Sequence, residues 1–374
     1  MISLKLLRIT AKNFKNCKDN FTVDFTAKAR KSSEDKMYEL QEIDSGLYTY
    51  NTVAFVGKNA SGKTTAIELI DCCYSILGDF RLENKHYSYE NVCLEIYFYH
   101  EGEIFKYTTL LKNDIINPKK AVFTDEHVFK KRYYKSRINS LFDDGFTEIS
   151  GFTELPEDTS NIFFILKKKK NYAVYFDSMG EGTDTYSRLF SAIKNYSLPA
   201  EIFENILTIF DENVKELSVI DEYNYKLIYR DEQKIISDKE LLWFLSSGTT
   251  KGILLYTMMI LSLRDGFDLI IDEIENHFHK TLVENMISLF KEKSVNKHNA
   301  TLIFTTHYCE VLDLFSRQDN IWISKSDGQV YLSNMHENYE VRTELLKSRQ
   351  FYNNAFETAV DYNELMNLKR KLKK

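Results

Sequence analysis

Residues 57–64 read GKNASGKT, the spacing G-x-x-x-x-G-K-S/T. Glycines let a backbone wrap against a phosphate without a Cβ clash. The loop amides, and those opening a following helix, then face the anion. Gly57, Lys58, Asn59, Ala60, Ser61, Gly62, Lys63, Thr64 and Thr65 are the expected nucleotide contacts. Lys63 brings a mobile positive charge to the β- and γ-phosphates, and the Thr64 hydroxyl can ligate Mg2+. Residues 268–273 read DLIIDE, an apolar run that delivers two carboxylates at its end. Asp272 suits an Mg2+ shell, and Glu273 can orient or polarise an attacking water. Residues 245–252 read LSSGTTKG. Ser246, Ser247 and Gly248 offer a second anion site at a helix start, with a plain N-cap as the alternative. His307 closes Thr305-Thr306-His307 at a strand end, where α/β sheets bind ligands. His277 and His279 on a helix would point to different faces, so no dedicated transition-metal site is expected.

These residues need particular elements around them. The phosphate loop has meaning only between a strand and a helix. Thr52 to Val56 is a short β-branched run and reads as a buried strand. Lys63 to Leu77 carries Ala66, Ile67, Leu69, Ile70, Cys73, Tyr74 and Leu77 at helical spacing, with Gly78 as a natural stop. Phe267 to Ile271 and Ala300 to Thr305 read as buried strands, and Lys251 to Leu263 and Thr281 to Phe290 as helices. The chain has only 13 Gly and 3 Pro, yet Gly57, Gly62, Gly248 and Gly252 all fall in the two glycine-bearing segments. Chemistry is the expected reason for all four.

Elsewhere, Ile2 to Thr10 and Phe21 to Phe25 alternate like paired strands, while Ala27 to Asn51 reads as a polar inserted loop with room for a short helix. Val92 to Tyr99, Ile104 to Leu111 and Ala121 to Phe129 suggest an antiparallel sheet. Residues 135 to 215 read as mainly helical, with turn signals at Pro156, Gly180, Gly182 and Pro199. Leu217 to Tyr229 reads as strands. Ile321 to Ser324 and Val330 to Leu332 flank Asp327-Gly328 like a hairpin. The expected organisation is a discontinuous nucleotide-binding lobe (1–84 and 235–340), an antiparallel β subdomain (85–135), a mainly helical insert (136–234) and a helical tail (341–374).

The 374 residues are 43% hydrophobic, with 26 Phe and 24 Tyr, which excludes disorder along the whole length. Forty-nine basic against 55 acidic residues leave a net charge of −6, which argues against coating nucleic acid by bulk charge. FKKRYYKSR at 129–137 and KKKKNY at 167–172 could still grip DNA or RNA, although solvated faces are the preferred reading. Cys17, Cys72, Cys73, Cys93 and Cys309 show no CxxC pair, so a reducing compartment is expected. The N-terminus is not signal-like. The longest apolar stretch, Gly252 to Leu263, is too short for a bilayer, which needs about 20 residues. A cytoplasmic chain without membrane contact is expected.

Asn13-Phe14, Gly57 to Thr64, Leu245 to Thr249, Asp272 to His279 and Thr305 to His307 occur in the order seen in the ABC-type ATPase heads of SMC, RecF and OLD proteins. The run D-E-I-E-N-x-x-H resembles most closely the OLD-like AAA ATPases of phage-resistance systems, such as the RloA, AbiL and PtuA types. The resemblance implies an α/β ABC-type P-loop head with an antiparallel β subdomain and an inserted helical region. It implies a homodimer with ATP sandwiched between subunits, Lys63 and Thr64 of one facing Ser246 and Gly248 of the other. Glu273 would be the catalytic base and His307 a γ-phosphate sensor, with His279 matching the family's histidine. Lys280 stands where the family usually has Pro, no Q-loop glutamine can be placed, and Ser247 replaces the first glycine of the transporter signature. The implied function is an Mg-ATPase that controls a separate nuclease or toxin in anti-phage defence. Only 67 residues follow His307, too few for a Toprim nuclease, so the effector is expected in trans. A RecF-like repair clamp is the alternative. The 181 residues between Thr64 and Ser246 cannot hold an SMC coiled coil.

Overall fold

A computed structural model describes the chain except residues 1–3, 178–190, 196–197, 222, 277, 342–344, 358–361 and 373–374. The turn signals at Gly180 and Gly182 and the residue His277 lie outside the described residues. Two compact units result, Met1–Tyr172 with Ile303–Lys374, and Ala173–Leu302.

Along the first unit run β1 (Lys5–Lys12), β2 (Phe21–Asp24), α1 (Ser33–Tyr38), β3 (Leu40–Asp44), β4 (Leu47–Tyr50), β5 (Thr52–Val56) and α2 (Lys63–Asp79). Then come β6 (Val92–His100), β7 (Glu103–Asn113), β8 (Ala121–Arg132), β9 (Thr147–Ile149) and α3 (Phe163–Leu166). The second unit holds β10 (Ala173–Phe176), α4 (Ala200–Phe210), β11 (Val214–Val219), β12 (Asn224–Tyr229) and β13 (Glu232–Ser237). It continues with α5 (Asp238–Phe244), α6 (Ser247–Asp265), β14 (Asp268–Ile271) and α7 (Lys280–Lys291). After β15 (Leu302–Thr306) the chain adds β16 (Ile321–Ser326) and β17 (Val330–Asn334) to the first unit.

In the first unit an antiparallel sheet has the order β2-β1-β6-β7-β8-β9. It contains the β6-β7-β8 meander expected from alternation, with β1 and β2 paired onto its edge. Leu7, Tyr97, Tyr99, Ile104, Tyr133 and Leu141 from this part cluster with Ile43 and Leu47. Those last two belong to the stretch read as a polar loop with room for a short helix; the helix is α1, and the β3-β4 hairpin stands where loop was expected. Its apolar anchors are sparse, and Leu40, Ile43, Leu47 and Tyr50 are all buried.

The phosphate-loop strand β5 is buried at all five residues and lies between β15 and β16. β16 runs parallel to β5, and β17 returns antiparallel to β16. α2 is buried on nearly every side, which explains its apolar spread. It does not stop at Gly78. It runs to Asp79 and ends on left-handed Phe80, φ 62°, whose N–H meets Ile76 O. Gly78 answers a different need: a Cβ there would sit 2.6 Å from Lys170 O. The backbone of the KKKKNY stretch is thus fastened to α2, with Lys170 N donating to Gly78 O at 3.2 Å.

In the second unit β10 and the fully buried β14 pair in parallel, and β11-β12-β13 form an antiparallel meander. Between residues 135 and 237 the described residues therefore carry more strand than local periodicity suggests. These strands are short, and a strand is stabilised by its partners rather than by its own sequence. Among the described residues no helix is long and apolar enough to cross a membrane.

Candidate nucleotide site

In the first unit β5 delivers the chain into the 57–62 turn, and α2 begins at Lys63. Gly57 admits no side chain, because a Cβ would lie 2.5 Å from both Ser324 O and Ser61 Oγ. Gly62 adopts φ 94° and its Cβ would meet Val330 Cγ1 at 2.2 Å. Ser324 Oγ donates to Ser61 O at 2.7 Å and braces the turn from β16. Lys58, Asn59 and Ala60 are exposed at the tip, and Thr64 is half-buried and Thr65 buried on the first turn of α2.

Two features suit an anion. Gly62 gives the 17-residue α2 no side-chain cap, whereas Ser32, Ser237, Ser246 and His279 cap α1, α5, α6 and α7. The buried Lys63 ammonium also curls over the loop, donating to Gly57 O at 3.2 Å and Lys58 O at 3.3 Å. It lies 3.4 Å from His307 Nδ1. An ammonium has no lone pair, so His307 must accept there. His307 follows Thr305 and Thr306, both fully buried at the end of β15. Ser324 and Val330 were not singled out from sequence. They lie far along the chain, and no local signal marks them.

In the second unit β14 ends at Ile271 and is followed by Asp272, fully buried, whose N–H donates to Phe176 O at 2.9 Å. Glu273 follows in the left-handed region, φ 49°, a costly state for a side-chain-bearing residue and one found at functional sites. Its Oε2 accepts from Asn276 Nδ2 at 2.5 Å, a partner three residues on within the same DEIEN run.

Ser246 Oγ accepts from Thr249 N at 3.0 Å, so the plain N-cap weighed from sequence is what Ser246 does within its own chain. Ser247 is the first residue of α6. Gly248 is exposed, and its nearest heavy atom to a Cβ would be Ser246 Oγ at 3.8 Å. Gly252 departs from the chemical expectation. A Cβ there would strike the Phe210 ring at 2.2 Å, so it permits α4 to pack on α6. His279 caps α7 by accepting from Thr281 N at 3.4 Å, and Lys280 takes the first helical position, where Pro is equally welcome. Among the described residues no group of three or more His, Cys, Asp or Glu is arranged to hold a metal. The Asn13-Phe14 pair has structural partners: Asn13 Nδ2 donates to Glu90 O at 3.1 Å, and Phe14 packs edge-on to Tyr87.

A buried parallel strand, a phosphate loop and a helix, joined in one unit to an antiparallel sheet, make a mixed α/β P-loop fold. Residues 53–313 match the family described as "AAA domain, putative AbiEii toxin, Type IV TA system", and the chain belongs to that family. Among solved structures it is similar to the SMC head domain from Thermotoga maritima, at 15% identity over 90% of this chain and 100% of that one, TM-score 0.42. It is also similar to an SmcHead bound to the C-winged helix domain of ScpA, at 13% identity over 88% and 97%, TM-score 0.48. No curated protein matches the chain.

Proposed function

We propose that the chain binds Mg-ATP at residues 57–65, pairs with a second copy around the nucleotide, hydrolyses it slowly and so switches a partner effector, a nuclease or toxin, in anti-phage defence. The uncapped start of α2 beside the Lys63 ammonium carries the reading. Phosphate oxygens satisfy those amides and draw Lys63 off its carbonyl partners. Thr64 and Asp272 are assigned to Mg2+ on motif order. The ion, when bound, offsets charge on the phosphate oxygens. Glu273 is the proposed base, with Asn276 fixing its carboxylate. His307, accepting from Lys63, is the proposed γ-phosphate sensor.

Gly248 supports the paired state. Among the described residues only Ser246 Oγ, at 3.8 Å, comes within 4 Å of a would-be Cβ, so the start of α6 is open on this side. That space suits a nucleotide held by a second copy and approaching the start of α6. The Asp272-to-His279 run supports the OLD-like branch, and the toxin in the family description supports a defence setting.

Lys63→Ala should lose ATP binding in calorimetry while its melting temperature stays near that of the parent. Glu273→Gln should bind ATP, remain dimeric by light scattering and lose about 10²-fold or more in turnover. Normal turnover in Glu273→Gln would remove Glu273 from its role.

A further inference from the structure

A cavity of about 260 Å3 in the first unit is lined by Arg8, Asp24, Lys28, Lys31, Phe142 and Asp143, among others. Its charges are unevenly matched. Arg8 donates through Nε and Nη2 to Asp24 Oδ2 at 3.0 and 2.7 Å, and its guanidinium lies 3.7 Å from the Phe142 ring centroid. The other Asp24 oxygen accepts from Thr26 N and Oγ1. Lys28 pairs with Glu337 at 2.6 Å. Asp319 attracts Lys31, but its carboxylate is taken by Arg317 and by the amides of Lys28 and Ala29. Asp143 is exposed, and the Lys131 ammonium, bonded to the carbonyls of Ser140 and Asp143, lies close enough to offset its charge. Lys31, half-buried, has no hydrogen bond or ion pair among the described residues. Burial, then the Arg317 charge, holds its ammonium below the ordinary lysine range.

A half-buried cation whose nearest carboxylate is already bonded to Arg317 is costly and is relieved by an anion. Ile138 and Asn139 of the cavity wall follow closely in the chain on Tyr134, which is half exposed and flanked by Arg132 and Arg137 at 5.9 and 6.0 Å from its ring. Guanidiniums around an exposed aromatic make a surface on which a base can stack. We propose that this cavity is a second phosphate site, separate from the 57–64 loop, in which Lys31 and Arg8 hold the phosphate of a nucleotide unit. The unit is either a free nucleotide or the phosphorylated end of a strand, and both present the same group.

The test uses the full chain with Lys63→Ala, which removes the loop's own nucleotide binding. The probes are inorganic phosphate, AMP, and a short single strand with and without a 5′-phosphate. Lys31→Met keeps the apolar stem and removes the charge. It should weaken the phosphate-bearing probes about tenfold or more, with little effect on the unphosphorylated strand. Tyr134→Ala, on an exposed side chain, should weaken AMP or the phosphorylated strand but not inorganic phosphate. Binding of AMP assigns a free nucleotide, and binding of the phosphorylated strand alone assigns a strand end. If no phosphate probe binds, or if Lys31→Met with an unchanged melting profile binds them all as well as its parent, the proposal fails.

Discussion

Gly62 and Gly248 show one residue type serving two masters. Gly62 is held at φ 94° with Val330 2.2 Å from any Cβ, so its own fold requires glycine. Gly62→Ala should cost about 1–3 kcal/mol in denaturant unfolding, through left-handed strain and displacement of Val330. Gly248 has open space around it. Gly248→Ala should leave stability unchanged or raise it by up to about 1 kcal/mol, because alanine is the better helix former. If a nucleotide on a second copy approaches this point, the same variant loses ATP-dependent pairing while gaining or keeping stability. Undiminished pairing in Gly248→Ala would count against the sandwich. Glu273 is another backbone exception, held at φ 49° where its carboxylate meets Asn276.

At the scale of elements, α1 is tied down by buried charge. Arg317 is 5% exposed, donates through Nε to Asp319 Oδ1 at 2.8 Å and through Nη1 to Asp35 Oδ2 at 2.9 Å. Asp35 also completes the capping box of α1 with Ser32. Burial alone would raise the Asp35 carboxyl. The Ser32 amide and hydroxyl and the Arg317 guanidinium outweigh it and hold the group below the ordinary carboxylate range. A folded-state pKa below the unfolded one means that the ionised form favours folding. That contribution is fully present above the unfolded value, about 3.9, and is lost as pH falls through the folded value. Asp35→Asn should therefore melt below the parent at neutral pH, with a deficit of about 1–3 kcal/mol. The gap should close as both are taken to acid, and a gap independent of pH would exclude the charge as its source.

For the whole molecule, both units carry elements of the proposed chemistry, and the net charge of −6 gives no bulk attraction to nucleic acid. Partner and trigger are best read from the assembled protein. Native mass spectrometry of the chain from its own cells, with ATP present, should show a second polypeptide in fixed ratio. A bare dimer carrying DNA would instead move the reading to a repair clamp.

The phosphate loop, its strand and helix, and the acidic strand end were legible in the sequence because each is local. A spacing of eight residues and an apolar run of five state the geometry without help from elsewhere. The tertiary structure decided what depends on residues distant along the chain. Ser324 and Val330 explain why Gly57 and Gly62 must be glycine, Phe210 explains Gly252, and Lys170 explains Gly78. His307 reaches Lys63 across 244 positions, and Arg317 reaches Asp35 across 282. Strands β9, β10 and β13 and the β3-β4 hairpin belong to the same class. Strand pairing and close packing are settled between segments, and a periodicity read within one segment cannot contain them.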